Sequence, residues 1–281
     1  MQSYETINLN EYIRTGEGGT AVSYKHKTRN TLAKLYNPGF EADRAVAEFL
    51  TARTVFEMGI PTPEPYRLVT DGERFGAEYE FISGKRSFTR IISEEPQRMK
   101  EISLEFARKT RELHSKEADT TRLRSYKQVL QRFYQEKNLV PEDYKQRALR
   151  FLENVPDAPK CLHGDLQIGN IITDGKLTLW IDVGEFAYGV LEWDLGLMWT
   201  ICHNMDKNRA DLLFHLEPET LTTHWNIFLP AYLGTSDIQA LGEFTKRLLP
   251  FYAVKVPYVV DMANHTALPD ASIQKLINLL P

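Results

Sequence analysis

The sequence predicts an α+β fold in two unequal lobes: a small N-terminal antiparallel sheet with one helix, then a larger, mainly helical C-terminal lobe. Three observations carry that expectation. Short strand-like runs separated by glycine and proline turns fill residues 1–83, one helix-length apolar stripe at 41–58 interrupts them, and beyond Ser83 the apolar spacing turns helical. The expected division is therefore 1–83 and 84–281.

The elements follow in chain order. Thr15-Gly16-Glu17-Gly18-Gly19-Thr20-Ala21-Val22 reads as a glycine-rich hairpin tip between two strand-like runs, open to a phosphate or simply a turn. Thr31 to Tyr36 is a strand in which Lys34 interrupts apolar neighbours. From Glu41 to Met58 the spacing predicts a helix with Ala45, Glu48, Ala52 and Val55 on one stripe and Val46, Phe49 and Leu50 on another face. Glu48 is thus a single charge among small and apolar residues. Its burial is costly unless a cation meets it, and Lys34 is the natural partner.

Gly59-Ile60-Pro61-Thr62-Pro63 stops that helix, because the prolines remove donors and bias the residues before them to extended geometry. Tyr66 to Val69 and Phe75 to Ile82 flank Asp71-Gly72 as a hairpin that completes the small sheet. After Pro96 a helix carries Met99, Ile102, Phe106 and Leu113 on its apolar face. Further helices are expected at Tyr126 to Lys137, Pro141 to Asn154, Leu191 to Met205, Leu221 to Tyr232, Ile238 to Met262 and Ala271 to Leu280.

Composition narrows the function classes. A chain of 281 residues with 42% hydrophobic and 26% charged side chains can bury one or two cores. A formal charge of -4 and a pI of about 6.0 argue against a nucleic-acid or anionic-membrane partner and favour a small-molecule one. The two cysteines, Cys161 and Cys202, form no paired-ligand motif, no secretory apolar segment opens the chain, and no apolar run reaches a membrane span; a cytoplasmic home is expected.

The chemistry concentrates in His163-Gly164-Asp165-Leu166-Gln167-Ile168-Gly169-Asn170, with Asp182 following in Trp180-Ile181-Asp182-Val183-Gly184. A carboxylate at Asp165 can accept or orient the proton of an attacking hydroxyl, whereas the amide oxygen of Asn170 and the carboxylate of Asp182 suit Mg²⁺, a hard, oxygen-seeking ion. Leu177 to Ile181 reads as a strand that ends at Asp182, so the carboxylate can point at a ligand. Singly, these residues read as turn carboxylates and a helix cap; in this order they match what phosphoryl transfer from a magnesium nucleotide needs.

The ordered set resembles the catalytic segment of the aminoglycoside phosphotransferase and choline kinase family, the small-molecule branch of the protein-kinase-like superfamily. The resemblance implies the protein-kinase-like two-lobe fold, Asp165 as the catalytic base, and Asn170 and Asp182 as the metal ligands. It further implies that Lys34 clamps the nucleotide phosphates and Glu48 holds Lys34, that Gly16, Gly18 and Gly19 lie over the phosphates, and that the backbone from Glu80 to Ser83, including Glu80 and Ile82, receives the adenine. His163 would brace the loop. Asp194, in Glu192-Trp193-Asp194-Leu195-Gly196, would steady it, although a helix N-cap describes the same carboxylate. Four positions depart from the pattern: Ala21 stands where a third glycine is expected, Gln167 and Ile168 replace histidine and proline, and Val183 replaces an aromatic residue.

The expected activity is transfer of the γ-phosphoryl group of ATP, with GTP left open, to a hydroxyl of an aminoglycoside, sugar, amino alcohol or amino-acid alcohol, with Mg²⁺ as cofactor. Oligomeric state is open. Two other readings compete: a catalytically weak, nucleotide-binding regulatory module of the same fold, and a kinase acting on a protein side chain. The presence of Lys34, Glu48, Asp165, Asn170 and Asp182 together speaks against the first, and the lack of an Ala-Pro-Glu activation segment after Asp182 against the second.

Overall fold

The computed structural model describes residues 3–17, 20–264 and 267–281. It divides into two compact units, Met1–Arg86 with Ile171–Phe186, and Ser87–Asn170 with Ala187–Pro281. Relative to a boundary drawn at residue 83 in the sequence, the first unit also holds the late segment that carries Asp182.

In the first unit six strands, β1 (Glu5–Thr6), β2 (Tyr12–Glu17), β3 (Ala21–His26), β4 (Thr31–Tyr36), β5 (Pro65–Thr70) and β6 (Phe75–Glu80), form one sheet in the order β1-β5-β6-β4-β3-β2. The sheet is antiparallel except for the two-residue β1, which runs parallel to β5. The β4 strand is central, pairing Lys34 with Ser23 on one side and Ala77 on the other, so the lysine is carried on the best-supported backbone of the sheet. Helix α1 (Ala42–Glu57) packs on β5 and β6 through Ala45, Phe49, Ala52 and Val55; Leu50, expected on a contact face, is exposed instead. The helix ends in a Schellman motif: Gly59 N–H donates to Phe56 O at 2.9 Å and Ile60 N–H to Val55 O at 3.3 Å, with Pro61 close behind.

After β7 (Arg86–Ser87) the second unit begins with α2 (Phe88–Glu94), a short helix the sequence did not announce, followed by α3 (Met99–Ser115), α4 (Tyr126–Glu136) and α5 (Glu142–Asn154). The two-residue β8 (Cys161–Leu162) leads into the His163 loop. The chain then enters the first unit as the hairpin β9 (Ile171–Thr173) and β10 (Thr178–Trp180), and returns through β11 (Ala187–Tyr188), which pairs with β8. Helices α6 (Glu192–Asn204), α7 (Lys207–Phe214), α8 (Pro218–Leu233), α9 (Ile238–Asn264) and α10 (Asp270–Ile277) complete it. Among the described residues no helix is long and apolar enough to cross a membrane.

Two packing solutions set the course of α9. Pro257 lies inside α9 and cannot donate to the carbonyl of Ala253, one turn earlier; the Tyr144 hydroxyl donates to that oxygen at 2.6 Å and the Tyr134 hydroxyl to Val254 O at 2.7 Å. The α6 and α9 helices also cross closely at Gly196, where a Cβ would stand 3.2 Å from Tyr252 N.

The α3 and α8 helices enclose His224, 1% exposed, with Nδ1 2.9 Å from Ser103 Oγ and the ring edge-on to Phe106. Burial pushes this imidazole down from 6.5 to about 3, so the folded protein holds it neutral while an unfolded chain takes a proton. Acidification below about pH 6.5 therefore lowers stability, with a slope approaching about 1.4 kcal/mol per pH unit from this group. We expect His224→Phe to lose that slope. Urea midpoints at neutral and mildly acidic pH would check it, and equal pH sensitivity in both proteins would refute the buried neutral state.

Candidate active site

In the first unit the site is built around Lys34. Its Nζ donates to Asp182 Oδ1 at 2.5 Å. Burial pulls the ammonium pKa down, but the charges of Asp182 and then Glu48 outweigh it and hold Lys34 above the ordinary lysine value. Asp182 sits at the end of β10 in the left-handed region, φ 54 and ψ 45, a conformation that carboxylate and amide residues tolerate better than others. The following turn, Val183–Glu185, packs on α1.

Glu48 reaches the same region from α1, but its direct partners differ from the sequence expectation. It accepts a hydrogen bond from the Tyr36 hydroxyl and lies 3.6 Å from Arg44 Nε, one turn earlier on the helix; its coupling to Lys34 is through space. Burial dominates its titration and raises the carboxyl pKa, against the pull of Lys34 and Tyr36. Tyr36 is held in turn by stacking on Phe40, 4.0 Å between ring centroids, and Arg44 lies over the other ring at 4.6 Å. Tyr79, also near these charges, is pushed by burial to about 12.

Neither Tyr36 nor Tyr79 was singled out in the sequence. For Tyr36 the signal was available: it is two positions from Lys34 on a strand and so shares its face. Lys85 is a third omission. Burial lowers its pKa although Asp182 acts in the opposite sense, which places a second lysine within electrostatic range of that carboxylate.

Ile82 is buried with Ile172, Leu179 and the partly buried Ile181, so the hairpin after Asn170 lines the segment that follows β6 with apolar side chains. Glu80 N–H is taken by Glu64 O and Phe81 N–H by Asn30 O, and Gly84 adopts φ 71. Gly16 pairs with Ser23 in the β2–β3 ladder beside a register irregularity. Gly18 and Gly19 lie outside the described residues.

The second unit holds the other half of the motif. Asp165, half-buried, is fixed by Asn170, whose Nδ2 donates to Asp165 Oδ2 at 2.8 Å and to Asp165 O at 2.9 Å. That use of the amide nitrogen turns the Asn170 oxygen into the atom left for a cation. The preceding residues hang on Asp194, which is fully buried: Oδ2 accepts from His163 N–H at 2.7 Å and Oδ1 from Gly164 N–H at 2.9 Å. His114 Nε2 lies 3.2 Å from Asp194 Oδ2, and its Nδ1 is 2.8 Å from the Tyr232 hydroxyl. Burial works to raise the Asp194 carboxyl, yet the hydrogen bond from His114 and the charge of Lys255 hold it below the ordinary range. The carboxylate is thus inside the first turn of α6 and bonds to the loop's backbone rather than to its own helix end.

Lys255, 1% exposed, closes the arrangement from α9. Its Nζ donates to Gly164 O at 2.6 Å and to Trp193 O at 3.1 Å, and it stands 4.4 Å over the Tyr126 ring. Sequence reasoning passed over it, although a single lysine in Phe251-Tyr252-Ala253-Val254-Lys255-Val256-Pro257 is the kind of isolated charge that marked Glu48.

Among the described residues no group of three or more His, Cys, Asp or Glu gathers around a point. The oxygen donors of Asn170 and Asp182 suit Mg²⁺, which takes one or two protein carboxylates or carbonyls and completes its shell with water and phosphate.

Gly184 is required by Glu48: a Cβ there would stand 2.9 Å from both Cγ and Oε2 of the glutamate. We expect Gly184→Ala to cost about 1–3 kcal/mol in urea unfolding, as overpacking does. That cost should largely vanish when Glu48→Ala is combined with it, and an additive pair would show that the two residues do not touch.

Comparison with known proteins agrees with this architecture. Residues 11–219 match the family model described as the phosphotransferase enzyme family, APH. Among solved structures, a choline/ethanolamine kinase family protein from Mesorhizobium loti is 13% identical, with a TM-score of 0.55 over 95% of this chain and 87% of that one. Aminoglycoside-3'-phosphotransferase of type VIII is 20% identical, with a TM-score of 0.55 over 86% and 93%. The aminoglycoside phosphotransferase APH(3'')-Id from Streptomyces rimosus is 16% identical, with a TM-score of 0.53 over 86% and 92%. No curated protein matches significantly. At these identities the solved structures establish a shared fold, and the family model, which spans well over half the sequence, establishes that this chain belongs to the phosphotransferase enzyme family.

Proposed function

We propose that this protein transfers the terminal phosphoryl group of a magnesium nucleotide, ATP in the first instance, to a hydroxyl of a small molecule. The observation that carries the reading is the Asp165 carboxylate, directed by Asn170 at 2.8 Å on a loop whose backbone is bound to a buried aspartate. A base held this way can accept a hydrogen bond from an acceptor hydroxyl and keep its oxygen aimed along the line of attack, and positioning of this kind supplies most of the catalysis in phosphoryl transfer.

In this reading Lys34 exchanges part of its bond to Asp182 for phosphate oxygens, and Glu48 keeps the ammonium charged and in place. Asn170 and Asp182 would hold Mg²⁺, which when bound neutralises charge on the nucleotide phosphates. The backbone of Glu80 and Ile82 receives the base of the nucleotide against the apolar cluster of Ile172 and Leu179, and Gly16, near the end of β2, lies over the phosphates. The proposed acceptor is an aminoglycoside, sugar, amino alcohol or amino-acid alcohol. The family membership supports it, as do the solved complexes of APH(2")-IIa, one with gentamicin and one with streptomycin and ATP, in which a protein of this fold binds such molecules.

Mass spectrometry across a pooled panel of these alcohols with Mg-ATP tests the reading. We expect a phosphoryl mass shift on one class of acceptor that Asp165→Asn reduces by roughly two to four orders of magnitude while Mg-ATP still binds. No shift with the intact protein, despite nucleotide binding, would overturn transfer. Asp182→Ala is expected to weaken the magnesium-dependent part of nucleotide affinity; titration calorimetry that gives the same affinity with and without the carboxylate would remove Asp182 from the metal.

A further inference from the structure

Lys255 is a buried charge that the proposed chemistry does not use. Packing alone does not call for it, because a methionine of similar length would fill the same space without the desolvation of an ammonium group. What the lysine adds is directed donors. One points at the carbonyl of Gly164, a residue with φ 82 that lies outside any helix or sheet ladder, and another at Trp193 O in the first turn of α6. The face of Tyr126, 4.4 Å away, supplies the remaining stabilisation of the cation.

The loop is therefore gripped at consecutive peptides by opposite charges. Asp194 accepts the N–H groups of His163 and Gly164, and Lys255 holds the carbonyl of Gly164, which belongs to the same rigid peptide plane as the N–H of Asp165. Fixing that plane fixes where the Cα of Asp165 starts, and Asn170 then fixes where its carboxylate ends. The close crossing of α6 and α9 at Gly196 and the proline at 257, which leaves the Ala253 carbonyl to the Tyr144 hydroxyl, set the helix segment that delivers the lysine.

We propose that Lys255 is a positioning residue for the catalytic base: together with Asp194 it clamps the Gly164 peptides and so sets the direction of Asp165 before an acceptor binds. This rests on the reading of Asp165 as the base. Being buried, the lysine touches neither acceptor nor nucleotide, and it acts through the loop.

The test compares Lys255→Met and Lys255→Arg with the intact protein in three readouts: the cooperative thermal transition, kcat and nucleotide KM for transfer, and hydrogen exchange of the backbone amides at 163–166. We expect Lys255→Met to stay folded, to lose about 100-fold in kcat at unchanged nucleotide KM, and to exchange the loop amides faster than those of α3 and α8. Lys255→Arg, which keeps the charge but cannot place one nitrogen on both carbonyls, should fall between the two. If Lys255→Met fails to fold, the arginine variant decides: a reduced kcat at unchanged KM supports the clamp, and a kcat equal to that of the intact protein overturns it. Unchanged kcat in a folded methionine variant, or a uniform rise in exchange across the whole unit, also overturns it. Should the intact protein phosphorylate no acceptor, the proposed function fails and Lys255 is judged on exchange alone: faster loop amides sustain its hold on Gly164, and unaltered ones end it.

Discussion

Much of the second unit is organised by one buried carboxylate. An ionised aspartate with no exposure is tolerated only if nearly all its lone pairs are used and a cation stands near, and Asp194 meets both conditions with two backbone amides, His114 and the field of Lys255. The consequence runs outward. The loop from His163 cannot leave without exposing a desolvated charge, α3 is tied in through His114, and α8 through the tyrosine that meets the other ring nitrogen. A half-satisfied version of this network would be worse than none, so its members act together.

The first unit solves a different electrostatic problem. The charges around Lys34 are only partly withdrawn from water: the Lys34 side chain is 24% exposed and that of Asp182 is 49% exposed. A group in that state can change partners at modest cost, which suits residues proposed to meet phosphates and a metal. Glu48 is the less mobile member. Tyr36 and Arg44 bind it, Gly184 leaves just enough room for it, and so it contributes a fixed negative potential behind the lysine rather than a second ion-pair partner.

How much of this was legible in the sequence depended on whether the signal was local. The β4 strand and α1 emerge near their expected limits because glycine, the two prolines and the apolar stripes act within a few residues. The helix α7 was missed: its N-cap, Asp206, is plain enough, but Leu212 and Leu213 point to solvent and so give no stripe facing a core. The same reason explains Leu50. Within the candidate site, Asp165 and Asn170 are five residues apart and the motif marks both, though not the hydrogen bond between them, whereas Asp194 and Lys255 reach the loop from α6 and α9. Asp194 was reached by resemblance, and Lys255 by neither route, since which carbonyl a distant lysine serves is decided by the crossing of two helices.

That crossing exposes a general asymmetry in how the two units hold their functional groups. Where charges keep some contact with water, as in the Lys34–Asp182 pair, a partner is exchanged more readily than inside a closed network, although burial still opposes the ammonium charge. Where they are buried, as at Asp194 and Lys255, position and stability are one quantity: the charge that orients the loop is also the charge whose burial must be compensated. A catalytic base needs its direction fixed far more closely than a phosphate clamp needs its own, since a hydroxyl must be aimed whereas a phosphate offers several equivalent oxygens. The buried network accordingly holds the peptides just before Asp165, the proposed base, and the partly exposed ion pair carries Lys34, the proposed clamp.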